Sequence, residues 1–175
     1  MSASLLSLAE CELHVLITGP HALVAHGVGH EVEGEDCECA IAAENEEAVT
    51  GHFARSDWNV VYRTPFFAKF RLLSTGTPVI KVLFFDPTTF GQLYEGSIEH
   101  MFGPFTLRVP SLMHVIAMKL QSMKNERERE AEDLAAIVAL LRANPGRWNP
   151  QEVDAACRRF GPPGIYARLA HQLIA

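Results

Sequence analysis

Nothing in this sequence is long and apolar enough to span a bilayer, because its longest apolar runs, Val79–Phe85 and Leu134–Leu141, are too short or too interrupted. The N-terminus also lacks a basic segment leading into an apolar core, so no secretory leader is expected and the chain reads as cytoplasmic. A basic surplus is missing too. With 21 acidic against 15 basic residues the net charge is −6, which leaves no global field to gather duplex DNA and leaves nucleic-acid binding unsupported by composition. Cysteine is sparse: Cys11, Cys37, Cys39 and Cys157 are scattered apart from one C-x-C pair. No second Cys/His pair follows at finger spacing, so packed, reduced thiols are expected rather than a zinc site. Internal repeats and low-complexity tracts are absent as well.

What is present is the composition of a folding globular chain, 48% hydrophobic and 21% charged. At 175 residues it can bury one substantial core. We expect one domain, with an α/β core over residues 1–109 and C-terminal helices over 110–175 packed on it. Leu13–Thr18 (LHVLIT) reads as a buried strand closed by Gly19-Pro20, with a short helix at His21–His26 stopped by Gly27. Val28–Glu35 is a glycine-containing acidic loop, and Asp36–Ala42 (DCECAIA) alternates as a half-buried strand does. A helix over Glu44–Ala54 follows, then strands at Trp58–Arg63, Phe67–Leu73 and Pro78–Phe85, giving a mixed sheet with a hairpin-like later half. Phe90–Tyr94 lies in a looser stretch, and Phe105–Val109 is a short strand. Ser111 caps a helix running to about Met123. The charge run Asn125–Glu132 reads as a solvated loop or helix start, and further helices fall at Glu130–Ala143, Pro150–Phe160 and Pro163–Ile174.

The residues suited to chemistry are Asp36 and Glu38. Two carboxylates at a spacing of two project from the same face of a strand, and hard cations such as Mg²⁺ take oxygen ligands from one or two carboxylates together with substrate phosphates. Upstream lies a strand, a glycine turn and a helix start, an arrangement that favours an anion such as a triphosphate. The stretch LITGPHALVAHGVGHEVEGEDCECAI resembles the signature of the nucleotidyltransferase superfamily. More narrowly it is similar to small bacterial proteins of that fold found in abortive-infection and toxin–antitoxin systems. The later segment RVPSLMHVIAMKLQSMKNEREREAEDLAAIVALL is similar to the helical region of the same group, in which a proline-capped helix carries a lysine, here Lys119, and an acidic residue starts the next helix, here Asp133. The resemblance covers roughly Leu13 to Leu141 and implies an α+β fold with a mixed sheet, an NTP substrate, Mg²⁺ as cofactor and transfer of a nucleotidyl group to a hydroxyl.

Carried over residue by residue, the resemblance matches Gly19 to the phosphate-gripping turn, and Pro20 to a serine or glycine position where it brings neither hydroxyl nor N–H. Asp36 matches the first carboxylate, and Glu38 stands where an aspartate is usual. Lys81 occupies the place of the third carboxylate. Two unit charges about 4 Å apart interact by roughly 4 kcal/mol at an effective dielectric of 20, so an ammonium there should pair with Asp36 and Glu38 and compete with Mg²⁺. Asp86 is a substitute only if the strand bulges or ends before it. Lys119 is a candidate contact for a nucleotide phosphate, against the ordinary role of a helix-edge lysine whose stem covers apolar surface.

Other residues invite blander readings. His21, His26 and His30 do not repeat at the four-residue helical spacing that would favour a shared metal. Phe66, Phe67, Phe70, Phe84, Phe85 and Phe90 are expected in the core. Two functions remain open on the sequence: an active transferase using Gly19, Asp36 and Glu38, or a catalytically degenerate binding or regulatory module with a protein partner. Fold alone does not choose between them.

Overall fold

The computed structural model describes residues 2–29 and 36–174, so the expected loop Val28–Glu35, with His30, lies largely outside the described residues. The described chain divides into two compact units, residues 2–22 with 36–110 and residues 23–29 with 111–174.

The first unit is built on a mixed sheet with seven strands among the described residues. Its elements are helix α1 (Ala3–Ala9), strand β1 (Leu16–Thr18), the start of helix α2 (Gly19–Ala25), strand β2 (Cys37–Ala42), helix α3 (Glu46–Arg55), strands β3 (Trp58–Arg63), β4 (Phe67–Leu72) and β5 (Val79–Phe85), helix α4 (Pro87–Glu95), and strands β6 (Ile98–Phe102) and β7 (Phe105–Val109). The spatial order is β3-β4-β5-β2-β1-β7-β6. Strand β2 is central, parallel to β5 and antiparallel to β1. It is covered on both faces, which explains why its sequence is small and apolar everywhere except Glu38. On one face Phe53 of α3 packs against Phe70 and Trp58. On the other, Phe90 and Leu93 of α4 cover Leu16, Ala40 and Ala42, with Leu83 and Phe85 beside them.

The second unit contains helices α5 (Leu112–Asn125), α6 (Glu130–Ala143), α7 (Pro150–Phe160) and α8 (Ile165–Ile174). Caps fix where they begin: the Ser111 side chain accepts the His114 N–H at 3.3 Å, and Asn149 accepts that of Glu152 at 2.8 Å, just before Pro150. Asn144 closes α6 by donating to the carbonyls of His26 at 2.7 Å and Leu140 at 2.9 Å.

Several expectations need correction. The first strand is shorter than Leu13–Thr18, starting at Leu16, and the second starts at Cys37, leaving Asp36 just ahead of it. The looser stretch around Phe90–Tyr94 is helix α4. Asp86 caps it by accepting the Thr89 N–H at 2.9 Å and Pro87 sits in its first turn, a start signal stronger than the weak helix formers Thr88, Thr89 and Gly91. Helix α1 and strand β6 were not anticipated. Of the phenylalanines expected inside, Phe70, Phe84 and Phe90 are buried, but Phe66 is 74% exposed at the β3–β4 turn.

Candidate functional site

The sheet register brings three side chains into one row. Thr18 lies opposite Glu38 across the β1–β2 ladder, and Glu38 lies opposite Lys81 across β2–β5. The Thr18 hydroxyl donates to Glu38 Oε1 at 3.0 Å, and Lys81 Nζ donates to Glu38 Oε2 at 2.8 Å. Both carboxylate oxygens of Glu38 therefore have donors, one of them a cation. With 30% of the Lys81 side chain and 22% of that of Glu38 exposed, much of the Coulomb attraction is offset by desolvation and solvent screening. The pair's chemical consequence is larger than its contribution to stability: an ammonium occupies the coordination space beside the carboxylate.

Asp36 faces a different partner. Its Oδ1 accepts the backbone N–H of Val79 at 2.7 Å, clamping the chain ahead of β2 to the start of β5. The expected pairing of Lys81 with both carboxylates is thus realised with Glu38. Asp86, capping α4, is fully exposed and is held below the usual carboxylate range by its hydrogen bonds to the Thr89 side chain and backbone, so it does not replace the third carboxylate. Among the described residues no group of three or more His, Cys, Asp or Glu side chains is placed to hold a metal ion.

Gly19 follows β1 directly, with φ +61°, a left-handed conformation that L-residues with a Cβ pay to adopt. A Cβ on it would also lie 3.1 Å from Glu38 Cβ, so the glycine turn is packed directly on the carboxylate's stem. Gly19→Ala should therefore cost about 2 kcal/mol, readable as a lowered urea midpoint at unchanged m-value. A loss below about 0.5 kcal/mol would show that the turn can relax away from Glu38. Pro20 follows inside α2, where, as expected, it supplies no N–H.

Lys119 belongs to the second unit, on α5, and its Nζ donates to Asp133 Oδ1 of α6 at 2.7 Å. Asp133 is fully buried, Arg129 Nη2 lies 3.8 Å from the same oxygen, and Asp133 Oδ2 has no hydrogen-bond partner. Two residues singled out separately in the sequence are thus one ion pair.

Among the described residues, His21, His26 and the four cysteines are buried. His21 is buried edge-on to Phe102 at 5.8 Å between ring centroids, and burial lowers its pKa. Burial pushes the Cys37 thiol up to about 12 and raises that of Cys39 well above its ordinary value, so both stay protonated and unreactive. Two participants were missed from the sequence: Thr18, and Phe67, whose ring lies 5.3 Å beneath Lys81 Nζ. Thr18 carried no local signal, since it meets Glu38 only through the β1–β2 register, and eighteen residues, 19–36, separate the two strands.

No protein-family model matches the chain, and no curated protein does either. Its fold is that of the nucleotidyltransferases. The antibiotic-resistance factor ANT(2'')-Ia, described in solution with substrate-regulated conformation dynamics, superposes with a TM-score of 0.67 over 97% of this chain and 92% of its own, at 12% identity. The same factor in complex with adenylyl-2''-tobramycin gives 0.64 over 97% and 94%, at 10% identity. An antigenic nucleotidyltransferase-like protein from Paracoccidioides brasiliensis gives 0.58 over 96% and 90%, at 17% identity.

Proposed function

We propose that this chain is a nucleotidyltransferase-fold binding or regulatory module in which the two-metal chemistry of nucleotidyl transfer has been lost. The observation that carries this reading is the 2.8 Å contact of Lys81 with Glu38, reinforced by the Thr18 hydroxyl on the other oxygen. Nucleotidyl transfer with a metal pair needs carboxylates free to neutralise cations and polarise the attacking hydroxyl. Here Asp36, Glu38 and Lys81 together carry one net negative charge, and Glu38 already has its counter-ion. The residues present do not fit a Mg²⁺ pair, and no catalytic step is assigned to them. A protein partner, as the resemblance to toxin–antitoxin components implies, is the companion of such a module.

The competing reading, an active transferase with NTP and Mg²⁺ at Gly19, Asp36 and Glu38, is favoured by one feature, the glycine turn packed against Glu38. Calorimetry separates the two. The native chain should show no Mg²⁺-dependent heat with any of the four NTPs, whereas Lys81→Asp should gain Mg²⁺ affinity by about tenfold or more, as one removed cation and one added oxygen ligand would give. Tight Mg²⁺-dependent NTP binding by the native chain, abolished by Asp36→Ala, would overturn the proposal.

A further inference from the structure

The face of the sheet that carries Glu38 and Lys81 continues outward, beyond α4, across β4 to the edge strand β3. The register sets Lys81 opposite Lys69, and Lys69 opposite Tyr62. Two residues along the same face, Arg71 stands between Asn59 and Val79, and on the other side of Lys69 stands Phe67. Lys69 and Arg71 are exposed. The Tyr62 and Phe67 rings adjoin at 5.5 Å between centroids, and Tyr62 is 54% exposed.

Three features of this face point to a ligand. First, between residues 31 and 110 the chain has only six basic residues, Arg55, Arg63, Lys69, Arg71, Lys81 and Arg108, and three of them gather here. Arg63 points to the opposite face and pairs with Glu46 at 2.7 Å, and Arg108 pairs with Glu99. Lys69 and Arg71 have no carboxylate partner among the described residues. Second, Lys69 and Lys81 stand directly opposite one another on neighbouring strands, and with Lys81 neutralised by Glu38 it is Lys69 that faces solvent without a counter-ion among the described residues. Third, β3 breaks register between Val60 and Tyr62. With the extra residue Val61, Tyr62 turns out to the face of Lys69, whereas unbroken alternation would have aimed it with Val60 at the buried face. Bulges are enriched at sheet edges and beside functional sites, and this one turns an aromatic side chain onto a cationic surface.

Cations that track a backbone, interleaved with exposed rings on which bases stack, are what recognise single-stranded nucleic acid without sequence preference. We infer that the open β3–β4–β5 face binds a single-stranded nucleic acid, with Lys69 and Arg71 on successive phosphates and Tyr62 and Phe67 against the bases. The net charge of −6 does not oppose this, because salt leaves exposed charges little influence beyond about 10 Å and the contact is local. The surface does not depend on the reading of the Glu38 pocket, and its test needs neither NTP nor Mg²⁺.

Fluorescence anisotropy of a labelled twelve-residue oligouridylate, titrated with the full chain without nucleotide or divalent metal, reads the inference. Binding should tighten as salt falls, with a log–log slope of about −1.4 for two phosphate contacts on a single strand. Lys69→Gln with Arg71→Gln should bring the slope close to zero, and Tyr62→Ala should weaken binding about fivefold or more at every salt. These side chains are exposed, and a circular dichroism spectrum unchanged from the native chain shows that each variant folds; Lys69→Gln alone, expected to remove half the slope, serves if the double variant does not. Absence of binding up to about 100 µM chain at low salt would overturn the inference. So would affinity indifferent to these substitutions, or equal affinity for polyglutamate, which shares the charge but offers no bases. Failure here leaves the Lys81 calorimetry untouched, and failure there leaves this surface standing.

Discussion

Lys119→Met is expected to destabilise the protein by about 3 kcal/mol, because it strands a fully buried carboxylate. Asp133 has one oxygen bonded to Lys119 at 2.7 Å and another without a partner, so once the lysine is gone only Arg129, 3.8 Å away, still neutralises it. Breaking a buried pair by deleting one member costs more than replacing both. Lys119→Met combined with Asp133→Leu should therefore recover most of the loss, to within about 1 kcal/mol of the native chain. The two tryptophans make the measurement local: Trp58 is in the first unit, and Trp148 in the second, its indole N–H donating to the Leu141 carbonyl at 2.9 Å. With Trp58→Phe as background, urea unfolding followed by Trp148 fluorescence should show the midpoint falling in the single variant and returning in the double. This also decides between two roles for Lys119. A lysine kept only to hold a nucleotide would leave the unliganded protein's stability unchanged, since a ligand stabilises only when present.

What could be read from the sequence depended on how local its determinants were. Strand β3 and helices α6 and α7 begin and end where composition and caps place them, because Trp58–Arg63 is rich in β-branched and aromatic residues, and Asn149-Pro150 and Asn144 punctuate the helices. The departure at Lys81 was legible through the resemblance, which implies a third carboxylate within Val79–Leu83, and the parallel β2–β5 register sets that position beside Glu38. The bond between Lys119 and Asp133 was not, although both had been singled out, since it joins residues fourteen apart across a helix–loop–helix. Nor was the direction of Tyr62. Alternation predicts faces only while register is kept, and the bulge at Val61 inverts it, so the place of Tyr62 on the cationic face was hidden from any pattern of period two. Phe66 was misplaced for a related reason: hydrophobicity marks candidates for burial, but a turn residue has no neighbouring strand to cover it.

Phe53→Ala should have the largest effect of any single truncation in the first unit, about 3–5 kcal/mol. The ring is fully buried on α3, 4.7 Å from the centroid of Phe70 and 6.0 Å from that of Trp58, and is the wedge by which the helix grips β3 and β4. Removing it loses the transfer free energy of the ring and leaves a cavity that rigid neighbours on two strands cannot fill. Trp58 reports this directly: with Trp148→Phe as background, its fluorescence transition should move to markedly lower urea, and Phe53→Leu, which refills part of the volume, should fall between. The consequence reaches the far face of the sheet. Lys69, Arg71 and Tyr62 hold their spacing because β3 and β4 are pinned from behind, so a chain loosened at Phe53 should bind the oligouridylate more weakly even under conditions where it remains folded. A Phe53→Ala chain as stable as the native one would mean that α3 does not anchor these strands, and the rigidity assigned to the cationic face would have to come from β5 alone.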